Sequence, residues 1–483
     1  MIHAFLTAVP TSLWIDGKWR EASDGARLSV ADPATEETIA TVADASPQDA
    51  LDAVDAAQNA LADWAGRTPR SRAEVLRRAY ELMVARSEDL SRLITLENGK
   101  SLIDARAEIA YAAEFFRWFS EEGIRNIGQI SRAPATGARI VIHHKPAGVA
   151  VLITPWNYPA AMATRKIAPA LAAGCTVVLK PAAETPLTML ALMPLLAEAG
   201  VPPGVVNVLP SSRPGPVVAA MLADIRVRVL SFTGSTPVGK RLLREAADNV
   251  VRPAMELGGN APFIVCDDAD IEAAVEGALI AKMRNQGEAC TAANRFFVHE
   301  SVHDVFSERL AARMGALKMG PGLEEGVALG ALVNAATRDK VDRLVADAVA
   351  KGARVAVGGV RPSCRGYFYP ATVLTHVPDT ALLLREEIFG PVAALQTFDD
   401  IADVVRRANA TEYGLAAYVY TRDLARGMRI SEMLEFGMVG LNRGVVSDPA
   451  APFGGMKHSG LGREGGHAGL MEFLETQYIS VDW

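Results

Sequence analysis

The sequence predicts an α/β protein of two successive domains with a small outlying sheet, and three features of its patterning predict it. Apolar runs at 148–153, 175–179, 204–208, 227–232 and 251–257 alternate with helix-compatible stretches at 160–172, 186–199, 214–222 and 237–248. Strands joined by helix-length crossovers imply a parallel sheet with a ligand crevice at the strands' carboxyl ends. The alternation restarts beyond Glu256-Leu257-Gly258-Gly259, with a strand at 262–266, a helix from Asp270 to about Asn285, a strand at 295–299, a helix over 302–317 and further α/β signals to about 440. Two strand-like stretches, 138–145 and 476–483, stand outside both runs. The second cannot bury itself alone, so the pair suits an outlying sheet at which subunits meet.

The amino-terminal third reads as helical. Ser46 is placed to cap a helix over 46–66, with Pro47 at its first position and Asp49 completing an S-x-x-D pattern. Leu51, Val54, Leu61 and Trp64 then share one face. Residues 70–122 read as further amphipathic helices, broken at Asn98-Gly99, and the strand at 138–145 is expected to pair with 148–153. Residues 146–164 carry no charge over a length that suits a membrane span. Pro155, Asn157 and Pro159 in that stretch fit a strand running into a loop instead. The short apolar stretch Ala4 to Val9 has no Lys or Arg before it and does not read as a signal peptide.

Composition narrows the function. Half of the 483 residues are apolar and 22% are charged, which suits a folded chain with ample core. The net charge of −7, with no basic run, excludes nucleic acid as the expected partner but leaves room for a small anion held by one or two arginines. Four cysteines without C-x-x-C spacing exclude a disulfide scaffold and point to a reducing, cytoplasmic setting. There is no H-E-x-x-H, and His143 and His144 face opposite ways on a strand, so no metal site is expected.

Neither G-x-G-x-x-G nor a Walker A motif occurs. The glycine-bearing strand-to-helix turn is Ser231-Phe232-Thr233-Gly234-Ser235-Thr236-Pro237, where small residues at a helix start offer free N–H groups to a phosphate. Cys175 and Cys266 sit in apolar strands as packing residues and Cys364 in a polar loop. Cys290 instead follows Asn285-Gln286-Gly287-Glu288-Ala289, an irregular approach that suits an accessible thiol of lowered pKa. Glu256 ends an apolar strand, where desolvation raises a carboxyl pKa into the range of a general base. Asn157 is a side-chain donor at another strand's end, suited to an oxyanion or to a turn.

T-P-W-N-Y-P (154–159), A-L-A-A-G-C-T-V-V-L-K-P (170–181), S-F-T-G-S-T (231–236), M-E-L-G-G-N-A-P (255–262), N-Q-G-E-A-C (285–290), E-E-I-F-G-P-V (386–392) and P-F-G-G-M-K-H-S-G-L-G-R-E (452–464) occur in order along nearly the whole chain. Together they resemble the aldehyde dehydrogenase superfamily. A-A-M-A-T-R-K (160–166), A-K-M-R-N-Q-G-E-A-C (281–290) and the C-terminal stretch are most similar to its succinate-semialdehyde branch. The resemblance implies a Rossmann-like NAD(P)-binding domain over 1–137 and 148–256 and a catalytic α/β domain over 257–440. It also implies an oligomerisation sheet from 138–147 and 470–483, a return to the active-site region over 441–469, and a homodimer or homotetramer.

The resemblance also assigns roles. Cys290 matches the nucleophile that forms a thiohemiacetal and then a thioester, Asn157 with the Cys290 N–H matches the oxyanion hole, and Glu256 matches the base that activates water. Thr154, Trp156, Gly234 and Ser235 lie along the dinucleotide, Lys180 and Glu387 reach its riboses, and Phe389 packs near the nicotinamide ribose. Arg165 and Arg284, assisted by Ser447, match the grip on the substrate's distal carboxylate. Three positions depart from the pattern. Ala183 stands where NAD-preferring relatives often carry Glu, with Glu184 next along, which favours NADP at least equally with NAD. Ala292 replaces a second cysteine found in some relatives, and Arg443 is an unexpected charge with a bearing on substrate choice.

The implied reaction is oxidation of succinate semialdehyde. Glutarate semialdehyde differs by one methylene, worth ~1–3 kcal/mol in a pocket, and stands as the near rival. A CoA-acylating enzyme does not require the base at Glu256. A non-catalytic protein of the same fold has no need of Cys290, Glu256 and Asn157 together.

Overall fold

A computed structural model describes Leu6 and residues 9–482. The stretch Ala4 to Val9 lies mostly outside the described residues. Helix Pro47–Gly66 begins as its sequence requires: the Ser46 hydroxyl accepts the Asp49 N–H at 3.2 Å, and the Asp49 carboxylate accepts the Ser46 N–H at 2.9 Å. Two orphan N–H groups are thereby satisfied at once. Helices Pro69–Ala85, Ser87–Asn98 and Leu102–Glu122 follow. Gly99 breaks the run at φ +92°, and a Cβ there would stand 2.5 Å from the Ala331 carbonyl oxygen.

Five parallel strands form the centre of the first sheet, in the order Arg252–Glu256, Val227–Thr233, Val149–Ile153, Thr176–Lys180 and Val206–Val208. Short antiparallel strands flank them: Gly460–Leu461 on one edge, Leu13–Ile15 and Lys18–Arg20 on the other. Successive side chains supply opposite cores. Ala150 and Leu152 pack on one face with helices such as Leu102–Glu122, whereas Val149, Val151 and Ile153 pack on the other with Pro47–Gly66. Both faces are covered, which is why these strands read as continuous apolar runs.

The second sheet runs Arg354–Val357, Thr372–Thr375, Val392–Phe398, Ala293–His299, Ala261–Val265, Ala416–Tyr420 and Met438–Leu441, parallel except at its first strand. Phe263 and Val265 serve one of its cores and Ile264 the other.

One expectation fails. The strand near 138–145 does not pair with 148–153. Strand Arg139–Pro146 lies between Gln129–Arg132 and Leu474–Val481 in a separate antiparallel sheet. Val149–Ile153 has parallel neighbours on both sides and no free edge to offer. Ile130, Tyr478 and Ile479 leave apolar surface exposed on this third sheet. The uncharged stretch 146–164 is a strand, a loop and the start of helix Ala161–Ala173. No helix among the described residues is long and apolar enough to cross a membrane.

In the first sheet, strand order reverses between Val149–Ile153 and Val227–Thr233, so the crevice opens where these two strands end. Thr154 to Pro159 leave one strand there and Gly234 with Ser235 leave the other.

Candidate active site

The crevice holds a cavity of about 210 Å³ lined by Trp156, Asn157, Gly234, Ser235, Glu387, Phe389 and Cys290 among others. Gly234 donates its N–H to the Glu256 carbonyl at 3.0 Å, and a Cβ on it would stand 2.5 Å from the Phe232 ring. Ser235 precedes helix Thr236–Ala247 without capping it through its side chain, so the first N–H groups of that helix face a ligand uncapped. The rings of Trp156 and Phe389 meet edge to face at 5.3 Å, with Phe389 held at φ +57°. Glu387 accepts the Gly259 N–H at 3.1 Å. Burial pushes its carboxyl up to about 7, against that bond and the charges of Lys340 and Lys282. The cavity's shape and its polar groups at a switch point fit a dinucleotide, which supplies the hydride acceptor when bound.

Thr154 and Lys180 stand apart from this cavity. The buried Thr154 donates its N–H to the Lys180 carbonyl at 3.2 Å, tying together two strand ends. Burial brings the Lys180 amine down to about 8, with Glu184 and Asp44 opposing. Ala183 and Glu184 line a separate groove of about 460 Å³ together with Ser212 and Asn334. Two carboxylates, Glu184 and Asp44, therefore act on the lysine expected to reach a ribose of the dinucleotide.

On the other side of Cys290 lies a second cavity, of about 140 Å³, lined by Arg165, Arg284, Ser447, Tyr111, Tyr158 and Phe453 among others. The structure brings the three expected carboxylate-binding residues together there. Arg165 is buried on helix Ala161–Ala173, donating to Tyr111 Oη at 2.6 Å and to Glu464 Oε2 at 3.3 Å. Its guanidinium lies 4.1 Å from the Phe453 ring centroid and its Nε has no partner. Arg284 ends helix Ile271–Met283 beside the Tyr158 ring and makes no ion pair among the described residues. Arg443 does not line this cavity. It is exposed on the loop after Met438–Leu441, near Tyr420.

Cys290 follows a turn in which Asn285, Gln286 and Gly287 all have positive φ, at 54°, 51° and 80°. The approach is irregular, as its sequence suggests, but buried throughout. The expectation of a lowered thiol pKa is not met. Burial pushes Cys290 up to about 12, with Arg165 and Arg284 opposing and Glu387 and Glu256 reinforcing. Desolvation therefore favours the neutral thiol over the thiolate. Glu256 ends strand Arg252–Glu256, and one carboxylate oxygen lacks a partner. Burial raises its pKa well above the ordinary value, Glu464 adds to the rise, and Lys166, Arg165 and Arg463 oppose it. Asn157 Nδ2 donates one N–H to the Glu288 carbonyl at 3.0 Å, leaving the other available. The Cys290 backbone N–H makes no hydrogen bond among the described residues.

Sequence reasoning missed Glu464 and Lys166. Glu464 joins Arg165 to Lys166, and Lys166 also donates to Ser231 Oγ at 2.8 Å. The sole signal was its place at the end of the 452–464 stretch.

A thiol between a dinucleotide crevice and a pocket walled by Arg165 and Arg284, with Asp104 and Glu108 also in its lining, is a setting suited to an oxidoreductase that acts on a carbonyl compound. The chain belongs to the aldehyde dehydrogenase family, whose model matches residues 19–479. It is 54% identical to a succinate-semialdehyde dehydrogenase of Paenarthrobacter nicotinovorans, over 92% of this chain and 98% of that one. It is 47% identical to a glutarate-semialdehyde dehydrogenase of Pseudomonas putida, over 97% of each chain. Among solved structures it is similar to an NADP-dependent enzyme of E. coli, with a TM-score of 0.97 at 46% identity and 98% of both chains covered.

Proposed function

We propose that this enzyme oxidises succinate semialdehyde to succinate, using NADP at least as well as NAD. One observation carries the reading: Cys290 lines both cavities, the dinucleotide crevice and the pocket of Arg165, Arg284 and Ser447. An ω-carboxylate gripped in the second cavity leaves its aldehyde carbon at the thiol. Cys290 attacks that carbon, while Asn157 Nδ2 and the Cys290 N–H receive the oxyanion. Hydride leaves toward the crevice and a thioester remains, which water activated by Glu256 hydrolyses. The carboxyl at Glu256 argues against CoA as the acyl acceptor. Four free cysteines and the absence of a membrane-spanning helix among the described residues support a cytoplasmic setting. The exposed apolar residues of the third sheet support a homodimer or homotetramer joined there.

Arg284→Ala tests the carboxylate grip most cleanly, because Arg284 makes no ion pair among the described residues and its neighbour there is the neutral Tyr158. kcat/KM for succinate semialdehyde should fall by about 2–5 kcal/mol, the usual result of truncating one partner of a buried charge pair. Butanal oxidation should change little. Equal losses on both substrates would mean that Arg284 supports the fold and does not read the carboxylate. Glutarate semialdehyde, assayed beside succinate semialdehyde, decides the chain length.

The dinucleotide preference is tested at Ala183. A carboxylate there accepts ribose 2′-hydroxyl bonds and repels a 2′-phosphate. Ala183→Glu should shift the kcat/KM ratio toward NAD by roughly tenfold, equivalent to ~1.4 kcal/mol. A wild-type enzyme with clearly higher kcat/KM for NAD than for NADP would show that Glu184 or Asp44 already does this.

A further inference from the structure

The segment Glu97-Asn98-Gly99-Lys100, which ends helix Ser87–Asn98 and leads toward helix Leu102–Glu122, is buried although three of its four residues are polar. Lys100 is 0% exposed and lines neither cavity. Its amino group donates to Glu108 Oε2 at 2.6 Å and to the Asn157 backbone carbonyl at 2.7 Å, and lies 4.5 Å from the Tyr158 ring centroid. The other Glu108 oxygen accepts the N–H groups of Ala160 and Ala161 at 2.8 and 3.2 Å, at the start of the helix that carries Arg165. One ion pair therefore grips the Tyr158-Pro159 loop from both sides.

The grip extends to the nucleophile's own loop. The Asn157 carbonyl takes a second bond from Asn285 Nδ2 at 2.9 Å. Asn285 Nδ2 also donates to the Glu288 carbonyl at 2.8 Å, the same oxygen that receives Asn157 Nδ2. Residue 157 is thus held at its backbone and at its side chain against the turn leading to Cys290. A buried ion pair is often replaceable by apolar groups without loss of stability, so stability alone does not account for this one. Apolar groups would not supply the two-sided grip.

We propose that Lys100, paired with Glu108, is a positioning residue that fixes the Asn157 side-chain amide over Cys290 for oxyanion binding. The proposal rests on the reading of Asn157 as oxyanion donor, and its test separates the two. Single-turnover NADPH formation is measured by stopped flow, at saturating NADP and semialdehyde, for wild type, Lys100→Met, Asn157→Ala and the double variant. Because misplacement by about 1 Å costs about 100-fold, Lys100→Met should slow the turnover by that order while the Kd for NADP changes by less than about threefold. On the Asn157→Ala background the same substitution should cost less than about threefold, since residues that act through one another are not additive. Where Lys100→Met does not accumulate as folded protein, Lys100→Met with Glu108→Gln, which leaves no unpaired buried charge, is put through the same comparison. Equal losses on both backgrounds, a wild-type rate for the Lys100 variants, or loss of NADP binding together with activity would overturn the proposal. A wild-type rate for Asn157→Ala would instead overturn the oxyanion reading, and the proposal with it.

Discussion

Cys290→Ser should lower aldehyde-dependent NADPH formation by several orders of magnitude while leaving NADP binding intact. The thiol already starts from a difficult position, since burial pushes it up to about 12. Sulfur tolerates this because a small thiolate fraction is intrinsically very nucleophilic. A serine hydroxyl, far less acidic, gains nothing from the same site. Arg165 and Arg284 oppose the burial effect on Cys290, and a substrate carboxylate seated on them will neutralise part of that help. In the proposed mechanism proton removal falls to a neighbouring base, and burial with the adjacent Glu464 raises the Glu256 carboxyl pKa in the direction such a base needs. Trp156, Gly234, Ser235, Glu387 and Phe389 line the crevice proposed for NADP, and Cys290→Ser leaves all five unchanged. Fluorescence titration should give a Kd close to wild type. Near-normal turnover of Cys290→Ser would remove Cys290 from the chemistry altogether.

What the sequence made legible was local or periodic. Ser46, Pro47 and Asp49 announce a helix start within four residues, and the structure closes both capping bonds. The alternation of apolar runs gave both parallel sheets, because a strand buried on two faces has no polar positions to blur the signal. Cys290 stood out from Cys175 by context: the latter is buried in a strand-flanking core and pushed up to about 11, inert in the way its apolar neighbours suggest. Nonlocal properties were legible only in part. The outlying sheet of 138–145 with 476–483 was expected and is present, but the further pairing of 138–145 with 148–153 was not excluded, because which edges are free depends on the whole sheet: Arg139–Pro146 is flanked by Gln129–Arg132 and by Leu474–Val481, the latter more than 300 residues away in sequence. The ion pair of Arg165 with Glu464 likewise spans 299 residues. The thiol pKa was misjudged because polar residues in Asn285 to Glu288 suggest openness, whereas each is turned inward to a specific partner: Asn285 to Asn157, Gln286 to Gly330, Glu288 to Val333. Desolvation is set by what packs around a segment, and composition does not report it.

Glu256→Gln should separate the two halves of the reaction. The amide keeps the shape of the site but cannot take a proton from water, so the thioester should form and then persist. A burst of about one NADPH per active site is expected, followed by a steady state lowered by about 10²–10⁴-fold, the usual contribution of a general base. Hydroxylamine, which attacks a thioester without help from a base, should restore part of the turnover and yield the hydroxamate. The pH profile gives an independent reading. Desolvation and the adjacent Glu464 hold the Glu256 carboxyl protonated well above the ordinary carboxylate range. Only the ionised form activates water, so wild-type kcat should climb as pH rises through that raised pKa and fall away below it. In Glu256→Gln that climb should vanish, leaving a slow rate that changes with hydroxide alone. A variant with no burst at all would place the carboxylate's task earlier, at the thiol of Cys290. A variant with wild-type steady-state turnover would show that some other group, with Glu464 the nearest carboxylate in the same charge network, hydrolyses the thioester.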